Sequence, residues 1–135
     1  EDIKSFQGKK VLVIEDNEAN QMFMQVILKK MGINFEIADD GLIGLAKFKN
    51  DVYDFILMDG NMPNMDGIEC TQEIIKLEKE NNLKHTLIIA LTANAFEEDK
   101  EKFFKAGADE FLSKPINATK LHEAFQKVSL KFKDY

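Results

Sequence analysis

Asp59 closes an apolar run, Phe55-Ile56-Leu57-Met58, and a turn rich in Gly, Asn and Pro follows at once. A run this short and apolar, bounded by turn residues, reads as a strand buried on both faces. Its carboxylate then stands where the strand leaves the sheet. The arrangement recurs. Val11-Leu12-Val13-Ile14 ends in Glu15-Asp16, Leu87-Ile88-Ile89-Ala90-Leu91 ends in Thr92, and Glu110-Phe111-Leu112 ends in Ser113-Lys114-Pro115. Parallel strands put all of these residues on one rim, the rim where open α/β sheets bind ligands. Three carboxylates crowded there repel one another unless a cation lies among them. Oxygen-only ligands favour a hard ion, Mg²⁺, and a backbone carbonyl of the Gly60-Asn61 turn offers a further oxygen. With the ion screening it, Asp59 is able to attack phosphorus and form an acyl phosphate. Lys114 pairs with one phosphoryl oxygen and Thr92 hydrogen-bonds another. The set holds no His or Cys nucleophile and no Gly-rich phosphate loop. It reads as a phosphoryl acceptor rather than a nucleotide hydrolase.

The elements that must position these residues alternate. A helix after Asp16-Asn17, capped by one of them, carries Ala19, Met22, Phe23, Val26, Ile27 and Met31 at helical spacing and stops at Gly32. Phe35 to Ala38 alternates as a half-exposed strand. A short helix with Leu42, Leu45 and Phe48 leads to the strand ending at Asp59. A third helix opens at Asp66-Gly67, with Ile68, Thr71, Ile74, Ile75 and Leu77 inward and a solvated tail from Glu78 to Asn82. The helix from about Ala95 to Ala106 is charged between Phe96 and Phe103, so its apolar stripe is thin and its hold weak. The last helix shows Leu121, Ala124, Phe125, Val128 and Phe132 on one face. Five strand–helix alternations predict an α/β fold with a doubly wound parallel sheet. Strands one, three and four are uniformly apolar and belong in the centre. Right-handed crossovers then give the order 2-1-3-4-5, with its switch point between strands one and three.

A chain of 135 residues suggests one domain, and 44% hydrophobic with 31% charged residues is the composition of a globular protein. The net charge of −6 argues against a large nucleic-acid surface. The single cysteine, Cys70, excludes an internal disulfide and reads as a small apolar filler. His85 and His122 read as ordinary surface residues, and the methionines, Met22, Met24, Met31 and Met58 among them, as core. The charged run from Glu97 to Lys102 reads as a solvated face and a partner surface. No segment is long and apolar enough to span a membrane. Residues 1–8 read as a linker, 9–132 as the domain and 133–135 as a tail. The chain opens on Glu1 without an initiator Met, which reads as a piece of something longer.

Four stretches, VLVIEDN at 11–17, ILMDGNMPNMDG at 56–67, ALTANA at 90–95 and ADEFLSKP at 108–115, resemble in order and spacing the receiver domains of two-component signalling. The resemblance covers the domain from end to end and implies the flavodoxin-like (βα)5 receiver fold. It further implies that Asp59 is the phosphorylated aspartate. Asp16 is a direct Mg²⁺ ligand, Glu15 acts largely through water, and Asn61 lends its backbone carbonyl. Thr92 is the switch hydroxyl, Lys114 the phosphate-pairing lysine and Phe111 the switch aromatic. The family more often has Asp-Asp where Glu15-Asp16 stands, and Phe111 lacks the hydroxyl of the Tyr variant. Lys114-Pro115 resembles a family site with a cis peptide. The implied partner is a histidine kinase or a histidine phosphotransfer protein, docking over the first helix and the rim loops. The pattern resembles most the receiver of a hybrid sensor histidine kinase, which implies a cytoplasmic domain and is compatible with a membrane-anchored parent. Such a domain catalyses only its own phosphorylation and dephosphorylation.

Three rivals stand beside this reading: a stand-alone receiver, an aspartate-nucleophile phosphatase and a flavodoxin-like binding module. The phosphatase wants a second acid two residues after its nucleophile, where Asn61 stands. The intact acid pair, Thr92 and Lys114 argue against the binding module.

Overall fold

A computed structural model describes residues 6–60, 62, 65–93 and 97–131. The elements run β1 (Lys10–Ile14), α1 (Glu18–Lys30), β2 (Asn34–Ala38), α2 (Gly41–Asn50), β3 (Phe55–Asp59), α3 (Gly67–Glu80), β4 (Leu87–Thr92), α4 (Glu97–Ala106), β5 (Glu110–Ser113) and α5 (Ala118–Lys131). All strand pairs are parallel and the sheet order is β2-β1-β3-β4-β5. The expected (βα)5 architecture and the ranking of the strands are therefore observed. β3 is buried along its whole length, and β1 and β4 are buried but for their first residues. The edge strands β2 and β5 are half-exposed. The ranking has a direct cause: a strand covered on both faces needs apolar side chains on both.

Two apolar clusters sandwich the sheet. One joins Val11, Val13, Phe55, Leu57, Ile89 and Leu91 to α1 and α5; the other joins Leu12, Ile14, Ile56, Met58, Ile88 and Ala90 to α2, α3 and α4. Successive strand residues alternate between them, as the period of two requires. Phe6, in the stretch read as a linker, belongs to the first cluster. Its ring packs edge-on to Phe55 and His122.

The helices correct several expectations. α1 carries two apolar stripes, not one. Met24, Ile27, Leu28 and Met31 are buried, whereas Met22, Phe23 and Val26 are 62%, 49% and 53% exposed. The two stripes have the same spacing offset by five residues, a rotation of roughly 140°. Hydrophobicity alone does not say which one meets the sheet. Leu42 on α2 is likewise exposed. Cys70 is buried as a filler, and burial pushes its thiol up to about 12. The predicted face of α5 is buried at Leu121, Ala124, Phe125 and Val128, while Phe132 lies outside the described residues. Phe96 lies outside them too. No described helix is long and apolar enough to cross a membrane.

His122 is buried, not a surface residue, and neither ring nitrogen has a hydrogen-bond partner among the described residues. Its position on α5 turns it toward Phe6, a neighbour that helical periodicity does not reveal. His85 and Glu78 are also not simply solvated. His85 Nδ1 lies 2.7 Å from Glu78 Oε1 and its Nε2 lies 2.8 Å from Asp109 Oδ2. Both acids are buried. Glu78 also accepts from the Thr86 N–H at 2.6 Å, and Asp109 from the Ile88 N–H at 2.8 Å. His85 thus clamps the end of α3 to the starts of β4 and β5. Its hydrogen bonds to Asp109 and then Glu78 hold its pKa up at about 10, against an ordinary 6.5.

A raised histidine pKa makes the folded protein hold a proton that the unfolded chain has released. The clamp's stabilisation is complete below pH 6.5 and is lost as pH rises toward about 10. Chemical denaturation of wild type and His85→Gln across pH 6 to 9 checks this. The variant is expected to be less stable at pH 6, with a difference that narrows steadily toward pH 9. A constant difference contradicts the clamp.

Candidate functional site

The carboxyl ends of β1, β3, β4 and β5 meet on one rim, and the residues expected to do chemistry meet there with them. Glu15 and Asp59 are buried, at 2% and 4% exposure, while Asp16 is exposed. One carboxylate oxygen from each of the three lies within 4.8 Å of the others. Lys114 Nζ reaches Asp59 Oδ1 at 3.0 Å and Glu15 Oε1 at 3.4 Å. Thr92 is buried at the end of β4, and its carbonyl accepts from the Lys114 N–H at 2.8 Å. The Lys114–Pro115 bond is cis. Asn61 lies outside the described residues.

Local sequence explains how each acid is held. Glu15 leaves β1 still bound to the sheet, its N–H donating to the Ala38 carbonyl at 3.0 Å. Its Oε2 accepts from the Asn17 N–H at 3.0 Å. Asn17, not Asp16, caps α1, accepting from the Asn20 N–H at 2.9 Å. Leaving the cap to Asn17 keeps the Asp16 carboxylate among the acids. Asp59 is fixed by β3 and by Gly67 at the start of α3. A Cβ on Gly67 would stand 2.2 Å from the Asp59 carbonyl oxygen, so any side chain there drives the helix off the rim. Asp66 caps that helix through the Glu69 N–H at 2.8 Å.

The electrostatics are unbalanced. Among the described residues three carboxylates face one ammonium, a formal excess of two negative charges (three minus one). Burial pushes the Asp59 carboxyl up to about 6; the Lys114 hydrogen bond opposes the rise and the charge of Glu15 adds to it. Burial works against the charge of Lys114, but its hydrogen bond to Asp59 and the two nearby acids outweigh this and hold it above its ordinary value. The donor set is oxygen-only with a dianionic surplus, which fits a hard divalent cation and not a soft one.

Two features of the surroundings were not legible beforehand. Phe111 is half-buried at the rim beside α4, and Lys100 Nζ lies over its ring, 5.5 Å from the centroid. Only the fold places the two together, although a cation eleven residues before an aromatic is visible in the sequence. Gly67 was read as a helix opener; its contact with Asp59 emerges from the packing alone.

The response regulator receiver domain family matches residues 11–126. This chain is a receiver domain of two-component signalling. It is 42% identical over 129 residues to "Hybrid signal transduction histidine kinase I" of Dictyostelium discoideum, covering 92% of this chain and 7% of that protein. The chain thus spans a small part of the length of the curated relatives it matches. The receiver domain of the histidine kinase CKI1 from Arabidopsis thaliana, solved with Mg²⁺ and BeF₃⁻, superposes with a TM-score of 0.83 at 33% identity, covering 96% of this chain and 95% of that one. The receiver domain of Ssk1, co-crystallised with the histidine phosphotransfer protein Ypd1 of Saccharomyces cerevisiae, gives 0.78 at 31% identity, covering 90% and 86%.

An aspartate whose folded pKa lies near 6 costs the folded state free energy wherever it is ionised. Without metal, Asp59→Asn is expected to stabilise the receiver domain at pH 7.5, by on the order of 2 kcal/mol. The gain accumulates as pH rises from 3.8 to about 6 and is absent below 3.8, where wild-type Asp59 is protonated in both states. Thermal unfolding in chelator at pH 3.5 and 7.5 measures it. A destabilised variant at pH 7.5 contradicts the assigned electrostatics.

Proposed function

We propose that Asp59 accepts a phosphoryl group from a phosphohistidine of a kinase or phosphotransfer partner, in a His-to-Asp relay that requires Mg²⁺. The observation that carries this is the convergence of Glu15, Asp16 and Asp59 within 4.8 Å, with Lys114 Nζ 3.0 Å from Asp59. Glu15, Asp16 and Asp59 would hold the ion, joined by the backbone carbonyl of Asn61. When bound, the ion neutralises the surplus of negative charge and stabilises that developing on the transferred phosphoryl oxygens.

The chain's own groups do the rest. An Asp59 oxygen attacks phosphorus in line with the leaving imidazole nitrogen; the N–P bond breaks as the O–P bond forms. Lys114 holds a phosphoryl oxygen by a charge-assisted hydrogen bond. The Thr92 hydroxyl donates to another and is drawn toward it. Phe111 turns into the space Thr92 leaves, and the α4–β5 face re-packs. The partner docks on the outward stripe of α1, where Met22, Phe23 and Val26 are exposed. Beside it a cleft of about 130 Å³ is lined by Glu15, Asn20, Phe23, Met24, Lys114 and Ile116 among others. The similarity to hybrid kinases supports reading the domain as the C-terminal receiver of such a protein.

Incubation with acetyl phosphate and Mg²⁺ is expected to give one acyl phosphate, labile to hydroxylamine and to base, in wild type and none in a folded Asp59→Asn variant. Undiminished labelling of that variant overturns the assignment. Phe23→Ala is expected to slow transfer from a phosphorylated histidine phosphotransfer protein about tenfold or more, the loss of one anchor at an interface. Labelling by acetyl phosphate stays unchanged in that variant. Equal slowing of both reactions means that Phe23 supports the fold rather than the partner.

A further inference from the structure

The ring that the switch must move is covered by a cation. Phe111 sits at the second position of β5, opposite Ala90 of β4, on the side of the sheet that packs against α4. It is half-exposed, not buried, in a strand with no fully buried residue. Lys100, in the middle of α4, holds its ammonium 5.5 Å from the ring centroid, within the range where the negative face of an aromatic ring attracts a cation. Beneath this pair α4 is anchored by Phe103, 3% exposed, whose ring lies 3.4 Å from where a Cβ on Gly60 would stand. The anchor fixes the helix against the phosphorylation rim, so Lys100 is held over the position that Phe111 occupies here.

We propose that Lys100 is the latch of the switch: its ammonium favours the outward ring of Phe111 and so sets how much of the domain is in the activated state before phosphorylation. This rests on the reading above, in which Phe111 turns inward as Asp59 is modified. A ring that turns inward leaves the cation behind. The contact therefore belongs to the inactive state alone, and differential contacts are what shift a two-state equilibrium. Lys100 touches neither the phosphoryl group nor the metal. It is a positioning residue, acting through Phe111.

Removal of the cation releases the outward state by the worth of a partly exposed cation–π contact. The activated population, and with it the affinity for a phosphoryl analogue, rises by roughly two- to fivefold, the equivalent of about 0.5–1 kcal/mol. The probe is beryllofluoride with Mg²⁺, titrated into isotopically labelled protein and followed by NMR. Lys100→Ala is expected to bind it two- to fivefold more tightly. Lys100→Arg, which keeps a cation over the ring, is expected to restore wild-type affinity. Lys102→Ala removes the same charge from an exposed position of the same helix and is expected to change nothing. In a Phe111→Leu background Lys100→Ala is expected to be silent, which separates the ring from every other contact Lys100 makes.

An unchanged affinity in Lys100→Ala, an equal gain in Lys102→Ala, or an undiminished gain in the Phe111→Leu background overturns the latch. If wild type shows no Mg²⁺-dependent response to beryllofluoride, the proposed function fails instead. The latch is then judged on the unliganded protein by the Phe111 ring resonances. They are expected to shift in Lys100→Ala and not in Lys102→Ala; unmoved resonances overturn it.

Discussion

Three carboxylates held within 4.8 Å of one another, with a single ammonium among them, are a state that the protein has to enforce. Left to itself such a cluster disperses or takes up protons. Here it is enforced by strands. Val11 to Ile14, Ile56 to Met58 and Ile88 to Ala90 are fully buried, and each such side chain contributes roughly 1.5–3 kcal/mol of transfer free energy. That reserve is ample to hold two strand ends together against the repulsion of Glu15 and Asp59. Burial first, and the charge of Glu15 after it, keep the Asp59 carboxyl above its ordinary value, with the Lys114 hydrogen bond opposing them. The surplus of negative charge that remains is what a divalent cation would neutralise in the proposed function.

The opposite end of the sheet supplies the control. Glu78 and Asp109 are also buried acids, but His85 lies between them and backbone N–H groups fill further lone pairs. Two acids there share one imidazolium and two backbone N–H donors, against three acids and one ammonium at the Asp59 rim among the described residues. A buried acid is thus not by itself a reactive one. Among the described residues, what separates the two clusters is how much negative charge is left over: one unit around His85, two around Lys114.

The sheet order and the rim were legible in the sequence because both follow from one-dimensional signals. Strands covered on both faces are uniformly apolar, and a residue at the end of a parallel strand has only one edge to stand on. The failures share an opposite origin. α1 offers two stripes of equal apolarity, and only the position of the sheet decides that Met24, Ile27 and Leu28 go inward while Met22, Phe23 and Val26 remain outside. His85 looked solvated because its partners are 7 and 24 residues away. His122 looked solvated because Phe6, its neighbour, lies in a stretch without periodicity. Lys100 disappeared into a charged run. In each case the missing information was a contact between elements, which hydrophobic periodicity does not encode.

The second α1 stripe also bears on how the domain divides its labour. β1, β3 and β4 are rigidly enclosed, so the acids have little freedom. β5 is half-exposed along its length and lies at an edge, hydrogen-bonded to β4 alone. Lys114, just past its end, touches Asp59 directly, and Phe111, two residues before the strand ends at Ser113, faces α4. A change of charge at Asp59 therefore bears on this edge strand across β4, through the Lys114 ammonium. The proposed docking face on α1 is built on enclosed β1, whereas the α4–β5 face rests on a half-exposed edge strand. On the proposed reading, recognition and response are separated because the sheet is enclosed in the middle and half-exposed at one edge, with Asp59 between the two.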